Sequence, residues 1–288
     1  VPSGYSAICS GALTVADAVD PAQTDDNYPQ KLFGAKLYTG NGGTNAITGL
    51  GFKPDVVWGK SRSNTQDHFL ANSTNGTGKD LIPNSSVAQQ TENGVTAFGT
   101  DGWTMGSIYN ANTYTYVGWT WRANGGTTAA NSVGGTSSVT QVDPSTALSI
   151  VTYTGISGSS GSSTVGHGMG VVPQLIFHKA LNAAGGWWTQ FASGTNANYF
   201  LELNDTRAQT HLAADTYGAM SRPTTSVFSI NGVDGVGGES RNYIAYCFAN
   251  IEGYCKVGSY EGNGNADGTF VYTGFRPAFI MTKSIDST

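Results

Sequence analysis

Four histidines are the first residues to weigh for chemistry: His68, His167, His178 and His211. None lies in a His-x-Glu, His-Glu-x-x-His or Gly-x-Ser-x-Gly setting, so neither a hydrolytic metal nor a nucleophile elbow has the residues it needs. His167 stands in Gly166-His-Gly-Met-Gly170, a segment that recurs as Thr48-Gly-Leu-Gly51 and Val271-Tyr-Thr-Gly274. A position that changes among His, Thr and Val holds no shared reaction. Glycoside cleavage would need two carboxylates about 5 to 10 Å apart across a groove. The acids here, among them Asp55, Asp80, Glu92, Asp101, Glu202 and Asp234, are scattered. The run Glu261-Gly-Asn-Gly-Asn-Ala-Asp267 alternates oxygen ligands like a calcium loop, but Tyr272 stands where a bidentate Glu belongs, so it reads as a turn. Cys9, Cys247 and Cys255 are odd in number and lack CxxC spacing, which argues against a zinc site or a disulfide framework. Cys247, in Tyr243-Ile-Ala-Tyr-Cys-Phe248, reads as a buried small apolar residue. No catalytic, cofactor-binding or metal residue is assigned.

Aromatic side chains remain as the class with binding potential. Trp187 and Trp188 are adjacent, so on a strand their rings point to opposite faces and at most one is core. These two are the candidate contacts for a glycan or a protein partner. Trp58, Trp119 and Trp121 lie on strand patterns and are expected in the core, while Lys60, Lys179 and Lys283 are expected as solvated strand ends.

The elements that must position these residues come in repeats. Three segments open on Tyr38, Tyr153 and Tyr260 and share an aromatic-x-Gly start and a Gly-rich bridge. Each then has a Gly-x-x-Pro turn (Gly51/Pro54, Gly170/Pro173, Gly274/Pro277), an apolar strand and a Lys. The copies start 115 and 107 residues apart (153 minus 38, 260 minus 153). That spacing is too long for a solenoid and suits separate small β-domains. Closing strands match too: Tyr114-Thr-Tyr-Val-Gly-Trp-Thr-Trp121 aligns with Arg241-Asn-Tyr-Ile-Ala-Tyr-Cys-Phe248. The expected organisation is a connector over 1–30, a first β-sandwich over 31–124 and a Gly/Ser/Thr-rich flexible linker over 125–147. A second sandwich over 148–252 and the start of a third, truncated repeat over 253–288 complete it. The third copy is too short to bury its own core, so the chain is expected to be a fragment of a longer protein. The fold class is all-β, tandem antiparallel β-sandwiches of jelly-roll or lectin-like type.

Only 11% of residues are charged, and 40 of 288 are Gly. The usual charged share is about 25%, so the outer faces must be solvated by Ser, Thr and Asn, as in many extracellular and virion proteins. Net charge is −5 without a basic block, which argues against nucleic acid. The longest apolar runs, such as Ala278–Met281, are strand-sized, so no membrane segment is expected.

Tyr38–Gly42, Ile47–Arg62, His68–Leu70 and Tyr116–Trp121 together resemble a family of repeated β-domains in virion structural proteins of tailed bacteriophages, especially those of marine and cyanobacterial hosts. Tyr5–Leu13 looks like the connector that, in such proteins, follows a SPRY-like, lectin-type sandwich. The second copy departs at Gln174, Phe177 and Leu181, where the first has Asp55, Trp58 and Arg62. The resemblance implies a non-enzymatic virion protein, a tail fibre or appendage involved in host attachment, with a capsid decoration protein or a carbohydrate-binding module as alternatives. Expected partners are other virion proteins, copies of itself (a trimer or capsid-lattice neighbours) and a host-surface glycan.

Overall fold

Short runs of β-branched and aromatic residues bounded by Gly, Asn and Pro can bury their apolar faces only by packing sheet on sheet. The computed structural model describes residues 29–158, 160–192, 199–211, 216 and 219–286. The expected connector over 1–30 therefore lies, but for its last two residues, outside the described residues. Those two begin a one-turn helix, α1 (Pro29–Leu32). The first unit follows as β1 (Phe33–Thr39), β2 (Asn45–Thr48), β3 (Val56–Ser61), β4 (Phe69–Asn72), β5 (Lys79–Asp80), β6 (Gln90–Thr91), β7 (Val95–Gly99), β8 (Gly102–Met105) and β9 (Thr115–Trp121). Next come β10 (Ala129–Asn131) and β11 (Ser138–Val142). The second unit holds β12 (Leu148–Thr154), β13 (Ser162–Gly166), β14 (Leu175–Ala180), β15 (Trp188–Phe191), β16 (Tyr199–Glu202), β17 (Thr210–His211), β18 (Val227–Asn231) and β19 (Asn242–Phe248).

The fold is all-β, and the two units repeat one antiparallel topology. A sheet ordered β1-β9-β3-β4 in the first corresponds to β12-β19-β14-β15 in the second, with the closing strand always between the opening strand and the third. Register repeats as well: Tyr38 faces Tyr116 and Tyr153 faces Tyr243. Each large sheet is capped by a small one, β2-β8-β7 or β13-β18. Between them lie two internal cores, around Val57, Phe69 and Trp103 in the first unit and around Val151, Ile176 and Phe228 in the second.

A third core joins the units. Because side chains alternate along a strand, the large sheets present a second face. Val56, Leu70 and Trp121 of the first unit cluster there with Ile150, Phe177, Ile244 and Tyr246 of the second. The result is four stacked layers, not two beads.

The expected flexible linker over 125–147 is corrected in the same way. β11 pairs along the outer edge of β12, and β10 pairs with β11, extending the second unit's sheet to eight strands. Its start is pinned by buried Asp55, whose Oδ2 accepts the backbone N–H groups of Ala123, Asn124 and Gly125 at 2.7, 2.9 and 2.7 Å. Small polar residues hid this strand pattern, but the edge of β12 needs partners for its backbone groups. Residues 253–286, expected to begin a third repeat, contain no strand among those described.

Trp187 links the two units directly. Its ring is fully buried, stacks on Tyr246 at 6.3 Å, and its indole N–H donates to the Ile82 carbonyl at 2.9 Å. Trp187→Ala should lower stability by about 3–5 kcal/mol through the cavity it leaves; the Ile82 carbonyl keeps the Ser85 amide as a donor at 3.1 Å. Urea unfolding followed by circular dichroism measures the loss, and a wild-type transition splitting into two independent steps would contradict the shared core.

Candidate functional site

Only one of the two candidate tryptophans has a surface. Trp187 is removed from any glycan or external partner contact by its burial against Ile82 and Tyr246, and its own N–H is held by Asn204 Oδ1 at 2.6 Å. Trp188, at the start of β15, points the other way. It is half-buried, packs edge-to-face on Phe200 at 5.5 Å, and pairs across the strands with Glu202. Glu202 in turn accepts from Arg207 Nη2 at 2.7 Å, and Asp205 Oδ2 lies 3.0 Å from Arg207 Nε. An aromatic ring bordered by a carboxylate and a guanidinium can stack on the apolar face of a sugar and bond its hydroxyls.

A second aromatic group escaped the sequence reading. Phe33, Trp58, Trp119 and Trp121 form a platform on the outer face of the first unit's sheet, with Phe279 of the third copy over it at 6.2, 6.4, 5.5 and 5.4 Å. Trp58 and Trp119, expected in the core, are half-buried here. The indole of Trp58 is oriented by donating to His68 Nδ1 at 3.1 Å. Alternation of rings along β9 signals the platform, but nothing in sequence spacing says that Phe279 meets it.

The histidines take structural places. His167 is buried, accepting from the Met169 amide at Nδ1 (3.2 Å) with Nε2 against the Thr224 carbonyl (3.2 Å). His178 is buried among Phe228 and Tyr153, 3.0 Å from the Tyr153 hydroxyl, which donates to the Val236 carbonyl at 2.7 Å. Burial pushes its pKa down to about 3, offset in part by Gln190. His211 is exposed, its ring tilted against that of Tyr199 with centroids 4.7 Å apart.

The lysines share a role that sequence did not disclose. Lys60 donates to the Gln66 carbonyl and Lys179 to the Gly185 carbonyl at 2.7 Å, six residues on in each unit. Each ammonium thus fastens the loop after its own strand. Lys179 is buried, contrary to the expected solvated end, and also reaches the Ser86 carbonyl at 3.2 Å in the first unit. Burial, with the nearby Arg241 charge, lowers its pKa to about 8. Lys283 donates to the Arg207 carbonyl at 2.8 Å.

Asp80 is fully buried and neither carboxyl oxygen makes a hydrogen bond. Burial, helped by the Glu92 charge, raises its pKa to about 7; the Val95 amide offsets part of this, too poorly placed for a full hydrogen bond. Within the loop weighed for calcium, Asn263 and Asn265 oxygens accept the amides of Asn265 and Asp267 at 3.0 and 3.1 Å, a run of Asx turns. Among the described residues no group of three His, Cys, Asp or Glu could hold a metal ion. Cys247 is buried and unpaired, its thiol pushed up by burial; Cys9 lies outside the described residues.

The architecture defines a class: an all-β scaffold of sandwiches stacked through aromatic faces, with its buried titratable groups hydrogen-bonded or packed inside the layers. The chain belongs to a family known as a domain of unknown function, DUF7483, whose model matches residues 28–288. No curated protein matches it, and no solved structure does.

Protonation should tune stability predictably. Asp80 has a folded pKa raised from 3.8 to about 7, so its favourable contribution is complete below pH 3.8 and is lost as pH rises through 7. Asp80→Asn, a neutral mimic, should therefore stabilise the protein by about 1–3 kcal/mol at pH 8.5 and change little at pH 3.5. Urea midpoints at both values check this; equal effects at both would refute it. His178 works at the acid side: its depressed pKa makes the unfolded chain the better proton acceptor between about 6.5 and 3, so stability falls as pH drops through that window.

Proposed function

We propose that this chain is a non-enzymatic structural protein of a tailed-phage virion, a building element of a tail fibre or surface appendage that contacts the host. The observation that supports it is the third core. Its two units are joined through outer sheet faces bearing Trp121, Phe177, Trp187 and Tyr246, so repetition of the unit extends a rigid body. The resemblance of Tyr38–Arg62 and Tyr116–Trp121 to repeated phage β-domains points the same way, as does a surface solvated by hydroxyl and amide groups. Weak contacts displayed in many copies hold a host surface through effective concentration. Partners on this reading are other virion proteins and further copies of the chain, as a trimer or as capsid-lattice neighbours. A capsid decoration protein is the alternative location for the same scaffold.

Purified virions labelled with an antibody to this chain and imaged as particles decide among these. Label on tails supports the proposal, label on the shell moves it to decoration, and unlabelled mature particles would end both. A host-surface glycan is the proposed ligand, and Trp188, with Glu202 and Arg207 beside it, is the place for it. Trp188→Ala should weaken retention of the chain on host polysaccharide at least about tenfold, the scale of a hot-spot aromatic; release of reducing ends from that polysaccharide would instead reveal an enzyme.

A further inference from the structure

Where the first unit meets the strands that follow it, an alcohol, a carboxylate and a primary amide converge. β4 runs into a turn at Ser73 and Thr74, and the Ser73 amide donates to the Asp55 carbonyl at 2.9 Å, which seats the two side chains together. Asp55 Oδ2 already accepts the three backbone N–H groups after β9, so Oδ1 is left for Ser73, whose hydroxyl donates to it at 2.7 Å. Gln141 comes from β11, which its register with β12 holds opposite Ile150. Its amide straddles the same hydroxyl: Nε2 donates to Ser73 Oγ at 2.9 Å, and Oγ lies 3.2 Å from Oε1. Oε1 also accepts from the Thr74 hydroxyl at 2.6 Å. Asp55 and Gln141 are fully buried, Ser73 and Thr74 half-buried.

An oxygen this close to both ends of a planar amide is within near-attack range, about 3–3.5 Å, of the carbon between them. Each neighbour holds a position that acyl transfer needs. Ser73 Oγ is placed as nucleophile, Asp55 Oδ1 as the base for its proton, and Thr74 as donor to the oxygen on which charge develops. A glutamine that only tied two loops together would need neither a carboxylate behind the alcohol nor a second hydroxyl on its oxygen.

We propose that Ser73 and Gln141 form an intramolecular ester that joins the first unit covalently to β11 on the second unit's sheet. Ser73 Oγ attacks Gln141 Cδ as its proton passes to Asp55 Oδ1, and the Thr74 hydroxyl holds the tetrahedral oxyanion. The C–N bond then breaks, the proton moves from Asp55 to the leaving nitrogen, and ammonia departs. One alcohol and one amide become one ester and one ammonia, and the balance needs no further reactant. Ammonia is taken up as ammonium in neutral water, which draws the exchange forward, while burial of Gln141 shields the ester from hydrolysis. The bond would span 68 residues of chain. It rests on side-chain geometry alone, so it stands or fails separately from a virion location.

The intact mass of the purified, folded full chain is the test. It should fall below the sequence mass by one ammonia, and tryptic peptides 63–79 and 123–179 should be recovered as one joined species. Mild alkali on the unfolded chain should part them and leave Glu at position 141. Ser73→Ala, which lacks the nucleophile, and Gln141→Glu, which has no ammonia to lose, should keep their full sequence masses and give separate peptides. Circular dichroism matching the wild-type chain shows that the missing bond reports chemistry and not misfolding. Thr74→Val should slow ammonia loss about a hundredfold, as for removal of one oxyanion donor. The wild-type mass decides by itself: a full sequence mass with separate peptides would overturn the proposal. So would an ammonia loss that persists in Ser73→Ala or maps to a succinimide at an Asn-Gly pair such as Asn75-Gly76.

Discussion

Everything in this molecule depends on a sheet that is apolar on both faces. An antiparallel sheet can leave one face to water, but here β9 and β19 alternate core-facing Tyr-small-small with outward-facing aromatic and apolar residues, so neither face is polar. One face is buried by the unit's own small sheet. The other can be satisfied only by another copy, and that requirement turns repeated sequence into stacked layers. Trp187 reaches from the second unit to the carbonyl of Ile82 in the first and ties the two together.

Around that constraint the polar interior is arranged to hold loops in place. Asp55 gathers three backbone amides where β9 hands over to the next unit, and Asn72 donates to the Tyr246 hydroxyl at 2.9 Å across the shared core. Lys60 and Lys179 perform one task at one sequence offset in two units. Asp80 departs from this as a buried carboxyl without a hydrogen bond, and the Ser61 hydroxyl, the Trp103 indole N–H, His178 Nε2 and Gln190 Oε1 are likewise buried without a partner. The Asp80 carboxyl makes stability sensitive to pH between about 3.8 and 7, while nothing in its surroundings assigns it a reaction.

Much of the architecture was legible beforehand because it rests on local rules. The Tyr-x-Gly starts, the Gly-x-x-Pro turns and the alternating closing strands place β1, β3, β9 and their counterparts close to where they lie. The opposite facing of Trp187 and Trp188 followed from period two, although which one was buried did not. Three things were hidden. β10 and β11 looked like linker because edge strands covered by Ser and Thr lack an apolar signal. Lys179 looked solvated because a lysine at a strand end usually is, and only the carbonyls of Ser86 and Gly185 reveal otherwise. The Phe279 platform joins residues more than 150 positions apart, from Trp121 to Phe279, and no spacing encodes that.

The amino-acid sequence alone determined the all-β class and the repeat unit, because strand periodicity and turn glycines act over a few residues and do not need the rest of the chain. Which faces meet, which tryptophan faces inward, and where the third copy's Phe279 sits were decided by tertiary structure. Those outcomes depend on two-sided sheets competing to remove apolar area from water, a property of surfaces that exist only after the strands have paired.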